Sequence, residues 1–188
     1  MVEELILKAR SYRRFDEKKR IPHELLVKFV DYARRTACGA NKQVLRYFIA
    51  DDMEINKKVS ECIGWAGYLT EWDGPVDGEK PAAYIVLLTE NDGNSAYDEG
   101  IAAQSIMLMA AENNIGGCFL LNVKREEMRE LLNIPEKYRI KLVIALGYPA
   151  EKVVIDDIKS GDDIKYYRDE NDCHHVPKLG LADVLVNA

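Results

Sequence analysis

Apolar residues recur at helical spacing at Val2, Leu5, Ile6 and Ala9, and this short helix delivers the chain to Arg10-Ser11-Tyr12-Arg13-Arg14-Phe15. Pro22 in a first turn, the acid Glu24, and Leu25, Leu26, Phe29, Val30 and Ala33 on one face predict a second amphipathic helix ending near Cys38-Gly39. Arg46 to Ala50 is aromatic and β-branched enough for a strand, and Asp51-Asp52 stops it. A further helix is expected from Ile55 to about Gly67, with Val59, Cys62 and Ile63 inward.

The segment from Tyr68 to Pro75 has no period and carries large aromatics, with Trp65 close by. Leaving Trp wet is costly, so Trp65, Tyr68 and Trp72 either wall a planar substrate or pin the loop to the core. Ala82 to Leu88 is a nearly continuous apolar run, a buried strand, followed by turn chemistry at Asn91-Asp92-Gly93-Asn94. From about Tyr97 to Asn113 apolar positions lie almost all round, which marks a central helix buried on most sides.

Gly116-Gly117 is expected to stop that helix with positive φ, and Cys118 to Leu121 reads as a short strand. Asn122 is a plausible N-cap for a helix carrying Val123, Met128, Leu131 and Leu132, and Ile140 to Leu146 is another buried strand. Between Asp156 and Asp172 the chain turns acidic and buries little, so residues 156–188 are expected to wrap the surface as a C-terminal arm closing on apolar Leu181 to Val186. Repeats and low-complexity tracts are absent.

The 188 residues, 47% of them hydrophobic, suit one domain with one well-buried core. A net charge of −6 argues against a general nucleic-acid binder, although a local basic pocket remains compatible with it. No run approaches the roughly 18 to 20 apolar residues of a membrane span, and the acidic opening Met1-Val2-Glu3-Glu4 is unlike a secretory leader, which points to a cytoplasmic protein without a membrane partner. Cys38, Cys62, Cys118 and Cys173 lack metal or redox spacing. His174-His175 has no companion ligand at a familiar interval, so no metal is expected.

Arg10, Ser11 and Arg13, taken alone, form either a solvated basic turn or an anion site, since rigid, always-charged donors suit a phosphate. These residues with Phe15 resemble the N-terminal signature of the FMN-dependent nitroreductase family. Further pieces follow in that family's order: Gly39-Ala40-Asn41-Lys42-Gln43, Trp65-Ala66-Gly67, Pro81-Ala82-Ala83-Tyr84, the helix opening at Asp98, Gly116-Gly117-Cys118, Leu146-Gly147-Tyr148-Pro149 and His174-His175-Val176-Pro177-Lys178. Each motif is weak alone; the resemblance rests on their number and order.

The resemblance implies an α+β domain with a mainly antiparallel sheet of four or five strands flanked by helices, paired as a homodimer with FMN at the interface. It implies that Arg10, Ser11 and Lys178 hold the phosphate and ribityl chain, and that Arg13 stabilises charge at the N1 and O2 edge of the ring. Cys38, Gly39, Asn41 and Gln43 would touch the flavin of the partner subunit, and backbone amides near Leu120 and Leu121 would approach N5 and O4. Trp65, Tyr68 and Trp72 are the implied substrate contacts. The implied reaction passes electrons from NAD(P)H to a small electron-poor acceptor such as a nitroaromatic or quinone, in ping-pong order. Ala9 and Leu179 stand where many relatives carry further basic residues, which weakens the phosphate site. Two other readings stay open: a flavin-binding sensor without efficient turnover, and a thiol enzyme using Cys38 or Cys118 with His174 or His175.

Overall fold

The computed structural model describes residues 1–90 and 95–186; the expected turn at 91–94 lies outside them. In chain order the elements are α1 (Val2–Lys8), α2 (His23–Ala33), β1 (Leu45–Ala50), α3 (Met53–Glu61), β2 (Ala83–Glu90), α4 (Ala96–Glu112), β3 (Gly116–Leu120), α5 (Arg125–Leu131), β4 (Tyr138–Gly147), β5 (Val153–Ile158), β6 (Tyr167–Arg168), β7 (His174–Leu179) and α6 (Leu181–Val184). The main sheet runs β1-β2-β4-β3 and is antiparallel throughout.

Side chains alternate across a strand, so the unbroken apolar runs of β2 and β4 require cover on both faces. Ala83, Ile85 and Leu87 of β2 with Leu142, Ile144 and Leu146 of β4 pack beneath Leu26, Phe29 and Ala33 of α2 and Ala102, Ala103, Ile106 and Ala110 of α4. Tyr84, Val86 and Leu88 with Val143 and Ala145 meet Val59 of α3 and Met128 of α5 on the other face. Helices thus sandwich one sheet, and α4 is the central helix its composition predicts.

Several boundaries differ from expectation, each for a local reason. The second helix ends at Ala33; Cys38 is extended, and a single 3-10 turn at Gly39–Asn41 follows, with Ala40, Asn41 and Gln43 at positive φ. The third ends at Glu61 instead of running to Gly67, because Ile63 leaves to bridge Val123 and the Gly64 amide donates to the Asn122 carbonyl at 2.9 Å. Asn122 is therefore a strand-like neighbour of Gly64, and the fifth helix starts later, after Lys124. Asp52, expected only to end β1, also caps α3 by accepting from the amides of Glu54 and Ile55.

The glycine pair acts by size instead of by backbone freedom. The positive φ that ends α4 belongs to Asn114, while Gly116 and Gly117 both lie inside β3. A Cβ on Gly117 would stand 2.6 Å from the Met107 sulfur and 2.8 Å from the Ala145 carbonyl oxygen. A Cβ on Gly116 would stand 2.5 Å from Tyr12 Cδ2, so its absence makes room for the arginine segment, where Ser11 forms a parallel bridge to Gly117 and the Tyr12 amide donates to the Gly117 carbonyl at 2.9 Å. The arginine segment is thereby laid along the sheet edge and pinned at its far end by fully buried Phe15.

The acidic C-terminal segment also holds more structure than its composition suggests. A second sheet, ordered β5-β7-β6, pairs β5 with β7 in parallel and β6 with β7 antiparallel, and it buries His174 completely. Beyond it Leu181, Val184 and Leu185 stay exposed. Among the described residues no helix is long and apolar enough to cross a membrane.

Replacing Gly117 by Ala is expected to lower stability by about 1 to 3 kcal/mol, since the backbone carbonyl of Ala145 cannot move aside cheaply. Gly100, in α4 with open space where a Cβ would go, is the control: Gly100→Ala should be neutral or stabilising by up to about 1 kcal/mol in the same urea-unfolding series.

Candidate functional site

The chain passes Arg10, Ser11 and Arg13 along β3 and returns 160 residues later as β7, so both ends of the polypeptide meet at one place. There they enclose a recess of about 320 Å³, whose lining includes Arg10, Ser11, Arg13, Phe119, Tyr166 and Lys178. Met107 and Gln104 of α4 complete one wall.

Each cation is held differently. Arg10 folds back on α1, its Nε donating to the Ala9 carbonyl at 3.0 Å and its Nη2 to the Ile6 carbonyl at 3.0 Å. Arg13 is only 7% exposed; its Nη1 donates to the Ser11 carbonyl at 3.1 Å and meets His174 Nε2 at 2.8 Å. The Tyr166 ring covers the guanidinium at 4.4 Å, while Arg13 Nε is buried without a partner. Among the described residues no carboxylate pairs with the side chain of Arg10, Arg13 or Lys178. The backbone of Arg13 has one instead: Glu151, its side chain 2% exposed, accepts from the amides of Arg13 and Arg14 and pairs with Arg168 at 2.9 Å.

Burying a cation without a counter-charge costs several kcal/mol. In a chain of net charge −6, acids are plentiful, yet three cations facing one recess are left without them. The donor set suits a bound anion, and Arg13 Nε is a buried polar atom that such a ligand would satisfy. A phosphorylated molecule with a planar ring fits this combination, with Phe119 and Tyr166 offering aromatic surface beside the charge.

Other expected site residues lie elsewhere. Cys38, Gly39 and Gln43 line hollows near Asp98 and Val44, where the Gly39 amide donates to Asp98 at 2.9 Å; Asn41 ends the same turn and its carbonyl accepts from Gln43 Nε2 at 3.3 Å. None of them lines the arginine recess of its own chain. Leu120 is buried beneath the sheet and Leu121 is exposed, so the β3 side chain that reaches the recess is Phe119. Trp65 packs on the core and meets Trp72 edge-on at 6.3 Å, and Trp72 lies under Arg168 at 4.7 Å. These two are anchors. Tyr68 is half exposed and meets the Tyr166 ring at a 52° tilt, centroids 5.0 Å apart, so of the three aromatics it stands next to the recess wall.

Tyr166 and Glu151 escaped the sequence reading, and His174 entered it as part of a motif and as a candidate thiol partner, not as a neighbour of Arg13. Tyr166 sits in the polar segment with no periodic signal, and a fully buried histidine cannot be told from the part-buried one beside it. The adjacent pair in fact diverges: His175 bonds Asp156 at 2.8 Å and Asp169 at 3.4 Å, which hold its imidazole pKa above the ordinary value. The Cys118 thiol is pushed up by burial, against the thiolate a nucleophile needs, and its Sγ bonds the Phe119 carbonyl.

The family model described as the nitroreductase family matches residues 89–148. A putative NADH dehydrogenase/NAD(P)H nitroreductase of Methanothermobacter thermautotrophicus is 29% identical over 171 residues, covering 87% of this chain and 85% of that one. Among solved structures, an FMN-dependent nitroreductase of Clostridium difficile R20291 superposes with a TM-score of 0.65 at 24% identity, covering 79% of this chain and 87% of that one. An oxidised iodotyrosine deiodinase bound to FMN and 3-iodo-L-tyrosine gives 0.67 at 20% identity, covering 90% and 96%. The fold is nitroreductase-like.

Replacing Glu151 by Ala is expected to cost about 3 kcal/mol, because it removes the nearer of Arg168's two carboxylate partners and unpairs two backbone N–H groups at once. Urea unfolding measures it; a loss below about 1 kcal/mol would show that Glu151 does not hold the arginine segment.

Proposed function

We propose that the chain, similar in its central region and in its fold to nitroreductase-family proteins, is an FMN-dependent oxidoreductase. It takes electrons from NADH or NADPH and delivers them to a small electron-poor acceptor, a nitroaromatic or quinone, the two substrates reacting in turn. The observation that carries this reading is the convergence of Arg10, Arg13 and Lys178 on one recess, with the Arg13 side chain buried and, among the described residues, unpaired with any carboxylate. Bound FMN would supply hydride acceptance and donation. Arg10, Ser11 and Lys178 bind its phosphate end, and Arg13 places a fixed positive charge against the pyrimidine edge of the ring, where reduction leaves negative charge.

The working unit in this reading is a homodimer. Exposed Ile6, Leu7, Tyr97, Ile101, Leu181 and Val184 give the chain an apolar surface to bury. The Cys38, Gly39, Asn41 and Gln43 loop, remote from its own recess, is then free to reach the partner's cofactor. A haloaromatic acceptor is the second reading, favoured by a likeness to iodotyrosine deiodinase that covers 90% of the chain.

The purified protein should carry flavin absorbance, or gain it with added FMN, and NADH or NADPH should bleach it anaerobically. Arg10→Ala should weaken FMN retention about 10- to 100-fold, the worth of a lost charge-assisted bond, whereas Arg13→Ala should chiefly slow the bleaching. A chromophore that neither nucleotide bleaches would favour the sensor reading. Protein that stays colourless in excess FMN would refute the proposal.

A further inference from the structure

A guanidinium has only donors, so the 2.8 Å contact from Arg13 Nη1 requires a lone pair on His174 Nε2, which places the ring proton on Nδ1. That Nδ1 is itself buried and has no partner among the described residues. An orphaned N–H in a fully buried side chain is a standing cost that Leu or Ile at the same place in β7 would avoid. Packing therefore gives no reason for histidine here; the contact with Arg13 does. The imidazole is also kept neutral, its pKa pushed down to about 4 by burial and by the charges of Arg13, Arg168 and His175.

On the other side stands Tyr166. Its ring covers Arg13 at 4.4 Å and lies 5.4 Å from the His174 ring, and its hydroxyl accepts from the Tyr68 amide at 3.3 Å. The guanidinium is thus held on an edge by an imidazole and on a face by a phenol ring, and both holders come from the C-terminal segment. Resting on the functional reading above, the geometry points to His174 and Tyr166 as positioning residues that fix Arg13 so that its unpartnered N–H groups meet the cofactor ring as one immobile positive charge. The β5-β7-β6 sheet is then the device that sets the charge beside the flavin, and the Tyr166–Tyr68 link carries its position to the aromatic loop that begins at Trp65.

Two measurements on the full-length protein test this, one on the wild type and one on His174 variants. Without flavin, the imidazole ¹⁵N resonances of His174 should show Nδ1 protonated and Nε2 bare; the reverse tautomer would overturn the proposal. With FMN, His174→Leu should keep retention within about threefold of wild type, lower the flavin midpoint potential, and slow anaerobic reduction by NADH on the order of 10- to 100-fold, as expected when a charged group loses its alignment. His174→Gln, whose side-chain oxygen can accept the same bond, should restore most of the potential and the rate. If His174→Leu binds FMN yet leaves potential and rate unchanged, the positioning role fails while the functional reading stands. If His174→Leu does not fold, His174→Gln and His174→Asn decide by the same readouts, and equal loss in both refutes the role. Wild-type protein that takes up no FMN would instead sink the functional reading on which the inference rests.

Discussion

One buried positive charge organises this molecule. The Arg13 guanidinium is out of water, and among the described residues it meets a carbonyl, an imidazole and a phenol ring in place of a carboxylate. Uncompensated charge at that depth opposes folding by several kcal/mol, so the surrounding structure must hold it there against its preference for solvent. Glu151 does this by gripping the backbone on either side of it, Phe15 by anchoring the strand beyond it, and the glycines of β3 by letting the segment lie close.

Such an arrangement makes sense when the missing counter-charge comes from a ligand. Arg10 and Lys178 extend the same logic toward solvent, each free of carboxylate partners among the described residues, and together the three cations define where an anion's charge would lie. The two-sided sandwich around β2 and β4 supplies the rigidity, and the smaller sheet brings the distal half of the site. Function and fold are coupled where the arginine segment, anchored by Phe15, meets β7.

The central elements were legible because their signals are local. A run such as Ala82 to Leu88 admits little but a buried strand, and the all-round apolar α4 admits little but a central helix. The Arg10, Ser11, Arg13 and Lys178 convergence was legible only through the order of motifs, since nothing in spacing brings residue 13 to residue 178. The second sheet was hidden because acids and a proline interrupt β5 and β7, whose pairing partner is what makes them strands. Gly116-Gly117 misled because a glycine that serves close approach and one that serves positive φ look alike in a sequence. Tyr166 and His174 matter through contacts across more than 150 residues, which no local pattern encodes.

A crystal structure of the protein grown with FMN tests the central claim most directly. The phosphate should lie within hydrogen-bonding distance of Arg10, Ser11 and Lys178, with the pyrimidine edge of the ring against Arg13. FMN seated away from this recess, or a carboxylate of the chain swung in to neutralise Arg13, would contradict it.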